Sequence, residues 1–287
     1  MPSPPEPAGK RRFSALNERP IGVFDSGFGG LTAVRRLRDL MPSENIIYFG
    51  DTSRVPYGNR SRDTILKYAR QDTRFLRSFD LKAIVIACGT VSSNCLPQLQ
   101  AENDIPIIGV VEPAVRRAAA LTRNKRVGVA ATRATVASGA FQRALAALDG
   151  DVTVFSHPCP LFVPLVEEGR YRPGDTVIET VAEEYLAPLR EAGVDTLVLG
   201  CTHYPLLSEV IRHVMGLRVE LVDVGAEAAR DCRDRLAAAD ALADRAEGSA
   251  RFYTSDRAVD FQRLAALFLG EEAAGPVEQV DISQYGE

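Results

Sequence analysis

The sequence contains no apolar run approaching the ~20 residues that a membrane-spanning helix requires. It also lacks a surplus of basic residues, since the formal net charge of the 287 residues is -4 and no polybasic stretch occurs. These absences argue against a membrane protein and against nucleic acid as a partner. Residues 1–19 lack the apolar core of a secretory signal and are rich in proline, serine and charge, which predicts a flexible tail outside the fold.

Cysteine patterns typical of disulfide or metal sites are missing as well. The five cysteines are odd in number, they include no C-x-x-C pair, and the three histidines do not complete a zinc spacing with them. Without a secretory signal, the cytoplasm is the expected location and the thiols are expected to be free. The sequence therefore predicts no metal site and argues against a thiol redox protein.

What the chain does contain is a regular alternation of short apolar runs with amphipathic stretches. The runs are β-branched or aliphatic at consecutive positions, as in strands buried on both faces of a parallel sheet. The predicted strands are Ile21–Phe24, Ile46–Phe49, Ala83–Ala87, Ile107–Val110, Val127–Ala130, Val152–Phe155, Thr196–Leu199, Val219–Val222 and Arg251–Thr254. The predicted helices include Leu31–Leu40, Asp63–Arg77, Glu112–Leu121, Ser138–Leu148, Asp175–Ala192 and Ala226–Asp244. This alternation indicates an α/β fold with right-handed crossovers.

Two pairs of segments suggest that the chain repeats itself. The segment LKAIVIACGT around Cys88 resembles VDTLVLGCTH around Cys201, and IGVFDSGFGG from Ile21 resembles VGVAATRATV from Val127 at nearly the same offset. The pattern predicts two similar α/β halves. Because open α/β sheets bind ligands beyond the carboxyl ends of their strands, two such halves facing each other would form one cleft.

Cys88 and Cys201 are the strongest candidates for chemistry. Each follows a predicted strand at an equivalent place in the two halves, where a helix is expected to begin. A helix N-terminus stabilises a thiolate and would lower the pKa of the thiol toward working pH. A free cysteine is more often a buried structural residue, but the pairing favours a chemical role. The other three cysteines, Cys95, Cys159 and Cys232, have no such setting and are interpreted as core residues.

A glycine-rich segment, Asp25–Gly30, follows the first strand. Such a turn before a helix suits a bound carboxylate or phosphate, although it matches neither the dinucleotide fingerprint nor the Walker A pattern. A plain strand–helix turn is the alternative interpretation. Asp25 would either orient a nearby base or cap the helix.

Three further positions carry groups suited to a site. Tyr57, in the loop after the second strand, offers an aromatic hydroxyl to a substrate carboxylate. His203 lies two residues after Cys201, where it could hold a proton near the thiol or stabilise the thiolate. The adjacent Glu167 and Glu168 are, from their own pattern, expected to be solvated.

At these residues the sequence resembles the glutamate racemase family of the aspartate/glutamate racemase group. The resemblance runs from Ile21 to about Val224 in the family's order. Its segments are IGVFDSGFGGLTAVRRL, IIYFGDTSRVPYGNRS, IACGTVSS, IPIIGVVEPA, GVAATRATVASGAF, CPLFVPLVEEG and DTLVLGCTHYPLL. It implies two similar α/β domains with parallel sheets, related by pseudo-two-fold symmetry, with the active site in the cleft between them. The first domain would comprise residues 20–112 plus 225–287, and the second residues 113–224.

The resemblance also implies a reaction: racemisation of free glutamate without a cofactor or metal, supplying D-glutamate for peptidoglycan synthesis. Cys88 would take the α-proton from the D-isomer, assisted by Asp25. Cys201 would take it from the L-isomer, assisted by His203 and Glu167. The substrate contacts would come from Asp25, Ser26, Tyr57, Gly58, Gly89, Thr90, Thr202 and His203. A homodimer is the assembly that the family leads us to expect.

One residue departs from the family pattern. Many members read Cys-Asn-Thr where this chain has Cys88-Gly89-Thr90. The asparagine side chain is expected to bind substrate, so that in this chain only the backbone N–H of Gly89 and the intact Thr90 are available. Two alternatives to glutamate racemisation stay open: a racemase of aspartate or a related acid, and a non-catalytic two-lobed amino-acid-binding protein, although binding alone needs no pair of thiols.

Overall fold

The computed structural model describes residues 17–270 and 276–286. Within these ranges, parallel strands alternate with helices and form two sheets. The strands are β1 (Ile21–Asp25), β2 (Ile46–Gly50), β3 (Ala83–Ile86), β4 (Ile107–Gly109), β5 (Arg126–Ala131), β6 (Thr153–Pro158), β7 (Thr196–Leu199), β8 (Glu220–Asp223), β9 (Ala250–Thr254) and β10 (Val277–Gln279). The first sheet has the order β10-β9-β2-β1-β3-β4, and the second has the order β6-β5-β7-β8. The predicted fold class, two parallel-sheet α/β halves, is confirmed.

The helices lie between these strands. They are α1 (Leu31–Leu40), α2 (Arg62–Arg77), α3 (Gly89–Ala101), α4 (Val111–Leu121), α5 (Arg133–Ser138), α6 (Ala140–Leu148), α7 (Phe162–Glu167), α8 (Thr176–Glu191), α9 (Ser208–Met215), α10 (Val224–Ala238) and α11 (Ala258–Leu269). Helix α1 has the predicted bounds because its apolar stripe is buried and Pro42 follows shortly after its end. No helix in the described part of the chain is long and apolar enough to cross a membrane.

Two helix predictions were wrong in their bounds. The predicted helix Ser138–Leu148 is divided because Gly139 adopts a left-handed conformation, with φ of 63°, between α5 and α6. The predicted helix Ala226–Asp244 ends early: α10 stops at Ala238, and Asp240 has a φ of 51°.

The strand orders show the internal repeat directly. In the first sheet β2-β1-β3-β4 are neighbours in that order, and β6-β5-β7-β8 repeat the same order in the second. Strand β3, which leads to Cys88, therefore corresponds to β7, which leads to Cys201. This equivalence is the one that the paired sequence segments predicted.

The first and last described residues both lie with the first half of the fold. Strand β9 pairs in parallel with β2, and β10 pairs with β9, so the C-terminal part extends this sheet at one edge. The predicted tail lies outside the described residues except for residues 17–19. There the carbonyl of Asn17 accepts a hydrogen bond from Lys82, and Glu18 pairs with Arg245.

Candidate active site

A cavity of about 590 Å³ lies between the two halves, at the carboxyl ends of the strands. All eleven residues predicted for the site line this one cavity. Asp25, Ser26 and Cys88 reach it from the first half, whereas Cys201 and His203 reach it from the second. The fold thus brings together residues that are far apart in the chain, as expected for a cleft between two strand-end edges.

Cys88 lies at the N-cap of α3, two residues after the end of β3. Its side chain is almost fully buried, and Sγ donates a hydrogen bond to Oγ of Ser26 at 3.4 Å. Burial, followed by the negative charge of Asp25, raises the pKa of the thiol to about 12, although the hydrogen bonds to Ser26 and to the backbone N–H of Val91 offset part of the effect. The prediction that a helix N-terminus lowers this pKa was wrong for Cys88, because desolvation outweighs it. The thiol is neutral near pH 7.

Asp25 is the last residue of β1 and connects the two halves. Its carboxylate accepts a hydrogen bond from the N–H of Gly27 at 2.8 Å and from the hydroxyl of Thr202 at 3.3 Å. Burial raises the pKa of Asp25, and the nearby His203 and these hydrogen bonds oppose that rise. Asp25 is not a helix cap, because Gly30 occupies the N-cap of α1.

Cys201, His203 and Glu167 form a hydrogen-bonded series in the second half. Sγ of Cys201 lies 3.8 Å from Nδ1 of His203, and Nε2 of His203 lies 2.9 Å from Oε1 of Glu167. Burial alone would lower the pKa of His203, but the hydrogen bonds to Cys201 and Glu167 outweigh it and raise the pKa to about 10. An imidazolium therefore stands beside Cys201 at neutral pH.

The sequence misjudged two features of this series. Glu167, at the end of α7, is partly buried against His203, whereas the pattern alone predicted a solvated carboxylate; Glu168 is exposed. A helix does not begin at Cys201 either. Residues 201–203 form a turn, and a 3₁₀ segment, Tyr204–Leu207, precedes α9.

Tyr57 lines the cleft, but its hydroxyl is directed elsewhere. The hydroxyl donates to the carboxylate of Asp51 and lies 3.1 Å from Oδ2 of Asp72, both fully buried. Arg54 pairs with both carboxylates. The predicted contact between the phenol hydroxyl and a substrate carboxylate is not supported, because the hydroxyl is already bound to Asp51.

Thr132 is a cleft residue that was not singled out from the sequence. It follows β5, its hydroxyl lies 3.0 Å from the hydroxyl of Thr90, and it caps α5. The hydrogen bond connects the two halves beside Cys88. The repeat contained the signal, because aligning Val127 with Ile21 places Thr132 at the position equivalent to Ser26.

The described residues contain no group of three histidine, cysteine or acidic side chains placed to hold a metal ion. The polar side chains of the cleft are instead thiols, hydroxyls, carboxylates, one imidazolium, the amide of Asn59 and the guanidinium of Arg133. This set is suited to moving protons and to hydrogen-bonding a small polar substrate.

Comparison with known proteins agrees with this geometry. The sequence model described as Asp/Glu/hydantoin racemase matches residues 32–232. A curated glutamate racemase of Geobacter metallireducens is 46% identical over 263 residues, which are 91% of this chain and 96% of the relative. The chain belongs to the glutamate racemase family.

Solved structures of the family extend the match to the whole fold. A glutamate racemase isoform of Bacillus anthracis superposes with a TM-score of 0.88 at 36% identity, covering 92% of this chain and 98% of that one. The glutamate racemase of Francisella tularensis, solved in complex with D-glutamate, has a TM-score of 0.87 at 38% identity and covers 94% and 100%. The family membership predicted from the motifs is therefore confirmed.

Proposed function

We propose that this chain interconverts L- and D-glutamate without a cofactor, with Cys88 and Cys201 acting as two bases on opposite faces of the α-carbon. The observation that carries the proposal is the placement of two thiols, from equivalent turns of two similar halves, in the wall of one cavity. A binding protein has no need of this pair. Glutamate is the proposed substrate because relatives that cover nearly all of this chain are glutamate racemases.

The two thiols have neighbours of opposite charge: Asp25 lies near Cys88, and the His203 imidazolium lies near Cys201. Burial, together with the neighbouring Asp25, raises the pKa of the Cys88 thiol, and a neutral thiol is suited to donate a proton to the α-carbon. Sγ of Cys201 lies 3.8 Å from Nδ1 of the His203 imidazolium, whose positive charge would offset the negative charge that this sulfur carries when it acts as the base. This arrangement corresponds to the enzyme form that takes the proton from L-glutamate. In the reverse direction Cys88 first gives up its own proton, for which nearby Asp25 is the proposed acceptor, and the resulting thiolate then removes the α-proton while Cys201 donates one on the other face.

The α-proton of an amino acid is a very weak acid, so the cleft must stabilise the carbanion that its removal creates. The hydroxyl of Ser26 and the backbone N–H of Gly89 line the cavity and are the proposed donors to the substrate carboxylates. The hydroxyls of Thr90 and Thr202 line it too, and they would exchange their bonds to Thr132 and Asp25 for bonds to the substrate. Preorganised donors in a water-poor cleft are worth more than the same donors in water. The product, D-glutamate, would serve peptidoglycan synthesis in the cytoplasm, and a homodimer is the proposed assembly.

The test is proton exchange in heavy water with each glutamate enantiomer, using wild type, Cys88→Ala, Cys201→Ala and the control Cys232→Ala, whose buried cysteine lies in α10 away from the cleft. Wild type and the control should racemise either enantiomer and incorporate deuterium at the α-carbon. Each cleft variant should lose at least about 10²-fold in racemisation, since each lacks one of the two bases. Wild type that acts on aspartate only would move the assignment to that substrate, and inertness toward both would favour the binding-protein alternative.

A further inference from the structure

Three glycines of the first half contact the second half at points where a side chain does not fit. A Cβ on Gly29 would lie 2.3 Å from Nδ1 of His203, and a Cβ on Gly58 would lie 2.9 Å from Cβ of Thr132. A Cβ on Gly89 would lie 2.3 Å from the carbonyl oxygen of Gly200. We call Gly29, Gly58 and Gly89 the glycine seam. Gly58 and Gly89 line the cleft, and Gly29 lies against His203 and Thr202 at its side.

The contact of Gly89 differs from the other two because both sides are backbone. Gly200 is fixed to the second sheet by a hydrogen bond from its N–H to the carbonyl of Ala130 at 2.8 Å. On the other side, the N–H of Ala87 bonds the carbonyl of Phe24 at 2.9 Å, and the carbonyl of Cys88 accepts from Ser92 at 2.9 Å. The steric clash between a Cβ on residue 89 and the Gly200 carbonyl therefore cannot be relieved by a change of side-chain rotamer. The simplest relief is a separation of the two halves.

The Gly89–Gly200 contact lies between the two cysteines in space. Gly89 directly follows Cys88, and Gly200 directly precedes Cys201. A fixed backbone contact here determines how closely the two cysteine turns approach, and thus how the two thiols are placed about one carbon atom. Racemisation by two fixed bases requires that spacing to match the substrate.

We infer that Gly89 is a positioning residue that sets the closure of the cleft: its missing side chain lets the Cys88 turn rest on the Gly200 carbonyl, which fixes the spacing of the two thiols. The inference rests on the proposed function for its catalytic consequence. An asparagine at this position, which many family members carry, would meet the same carbonyl in this chain.

The test compares Gly89→Ala with the matched control Gly150→Ala, because Gly150 is exposed and a Cβ there meets nothing within 4 Å. The substrate-free proteins are treated with iodoacetamide, and alkylation of each cysteine is followed by peptide mass spectrometry. Cys88 and Cys201 should react several-fold faster in Gly89→Ala than in wild type or the control. Cys95 and Cys232, both fully buried, should be unchanged, which excludes general unfolding.

Racemisation kinetics supply the second measurement. A shift of about 1 Å in the spacing of the reacting groups can cost about 10²-fold, so Gly89→Ala should lose about that factor in kcat with a smaller change in KM. Gly58→Ala is a second variant should Gly89→Ala fail to fold, with the same direction and a smaller effect since the Thr132 side chain can adjust. Unchanged alkylation and kcat in a folded Gly89→Ala would overturn the inference. Wild type without racemase activity would overturn the proposed function alone, because the alkylation comparison needs no turnover.

Discussion

Replacing Glu167 by glutamine removes the negative charge of one of the two groups, Cys201 and Glu167, that raise the pKa of His203. Nε2 of His203 lies 2.9 Å from Oε1 of Glu167, with the two side chains 6% and 24% exposed. Glutamine keeps the size of the side chain and one acceptor oxygen. The variant therefore changes the electrostatics of the series while preserving much of its geometry.

The size of the effect follows from that geometry. Two unit charges near a protein surface at about 4 Å interact by about 4 kcal/mol, and partial contact of Glu167 with solvent reduces this to about 2–3 kcal/mol. At 1.36 kcal/mol for each pH unit, removal of the charge should lower the pKa of His203 by about two pH units. The starting pKa is about 10. We therefore expect Glu167→Gln to bring this pKa to near 8, because the hydrogen bond to Cys201 remains.

The measurement is an NMR titration of protein labelled with ¹³C at histidine Cε1. The chain has only three histidines, and the resonance of His203 is the one that a His203→Asn variant lacks. The control is Glu168→Gln, which removes the same charge from an exposed neighbouring residue. It should leave the titration of His203 as in wild type. A wild-type His203 resonance that titrates near pH 6.5 would refute the imidazolium and with it the proposed environment of Cys201.

The same pair makes stability depend on pH in a defined direction. The pKa of His203 is higher in the folded chain than the ordinary 6.5 of an unfolded histidine, so its stabilising contribution is complete below about pH 6.5. It is lost as the pH rises through the folded value near 10. Urea unfolding should show wild type losing stability between pH 7 and 10 more steeply than Glu167→Gln.

Three further outcomes are expected. Tyr57→Phe leaves the buried carboxylate of Asp51 without its phenol donor, so the free energy of unfolding in urea should fall by about 1–3 kcal/mol and KM should rise. An unchanged unfolding curve would argue against a stabilising hydrogen bond between Tyr57 and Asp51. Lys82→Met leaves the buried carboxylate of Glu44, which lies 2.5 Å from the ammonium, without its cation. The free energy of unfolding in urea should fall by about 3–5 kcal/mol, and a fall below about 1 kcal/mol would contradict this prediction. Alkylation of Cys88 should keep accelerating toward pH 12, because the pKa of this thiol is about 12; a plateau by about pH 9 would contradict it.

The sequence predicts the elements whose burial is uniform. Strands such as β1 and β7 are apolar at consecutive positions, which is what a strand covered on both faces requires. Strand β10, Val277–Gln279, was missed because it is short and largely exposed at the sheet edge, so no apolar run marks it. Helix α3 was not given bounds, since its serines, asparagine and internal Pro97 obscure its period. The domain boundaries stay a prediction.

For the site, too, some features could be predicted from the sequence and others could not. Cys88, Cys201 and the segments around them were located by motif and by the repeat, because both are read along the chain. The pKa of Cys88 was predicted in the wrong direction, since the position of a residue in the sequence does not reveal how deeply it is buried. The direction of the Tyr57 hydroxyl depends on Asp51 and Asp72, and the burial of these two carboxylates beside the ring is not visible in the sequence. Properties that arise from distant neighbours were thus beyond the sequence argument.

The pairing of β9 with β2 has a consequence for how the chain reaches its native state during synthesis. The second sheet uses strands from one continuous stretch, residues 126–223, whereas the first sheet gains β9 and β10 only from residues 250–279. Since domains fold as their residues emerge from the ribosome, the second sheet can assemble while the first still has an unpaired edge at β2. Until β9 pairs with it, β2 exposes unpaired backbone N–H and C=O groups to which a strand of another chain can hydrogen-bond. A ribosome stalled before residue 250 should therefore display an aggregation-prone intermediate, and release of the last strands should remove it.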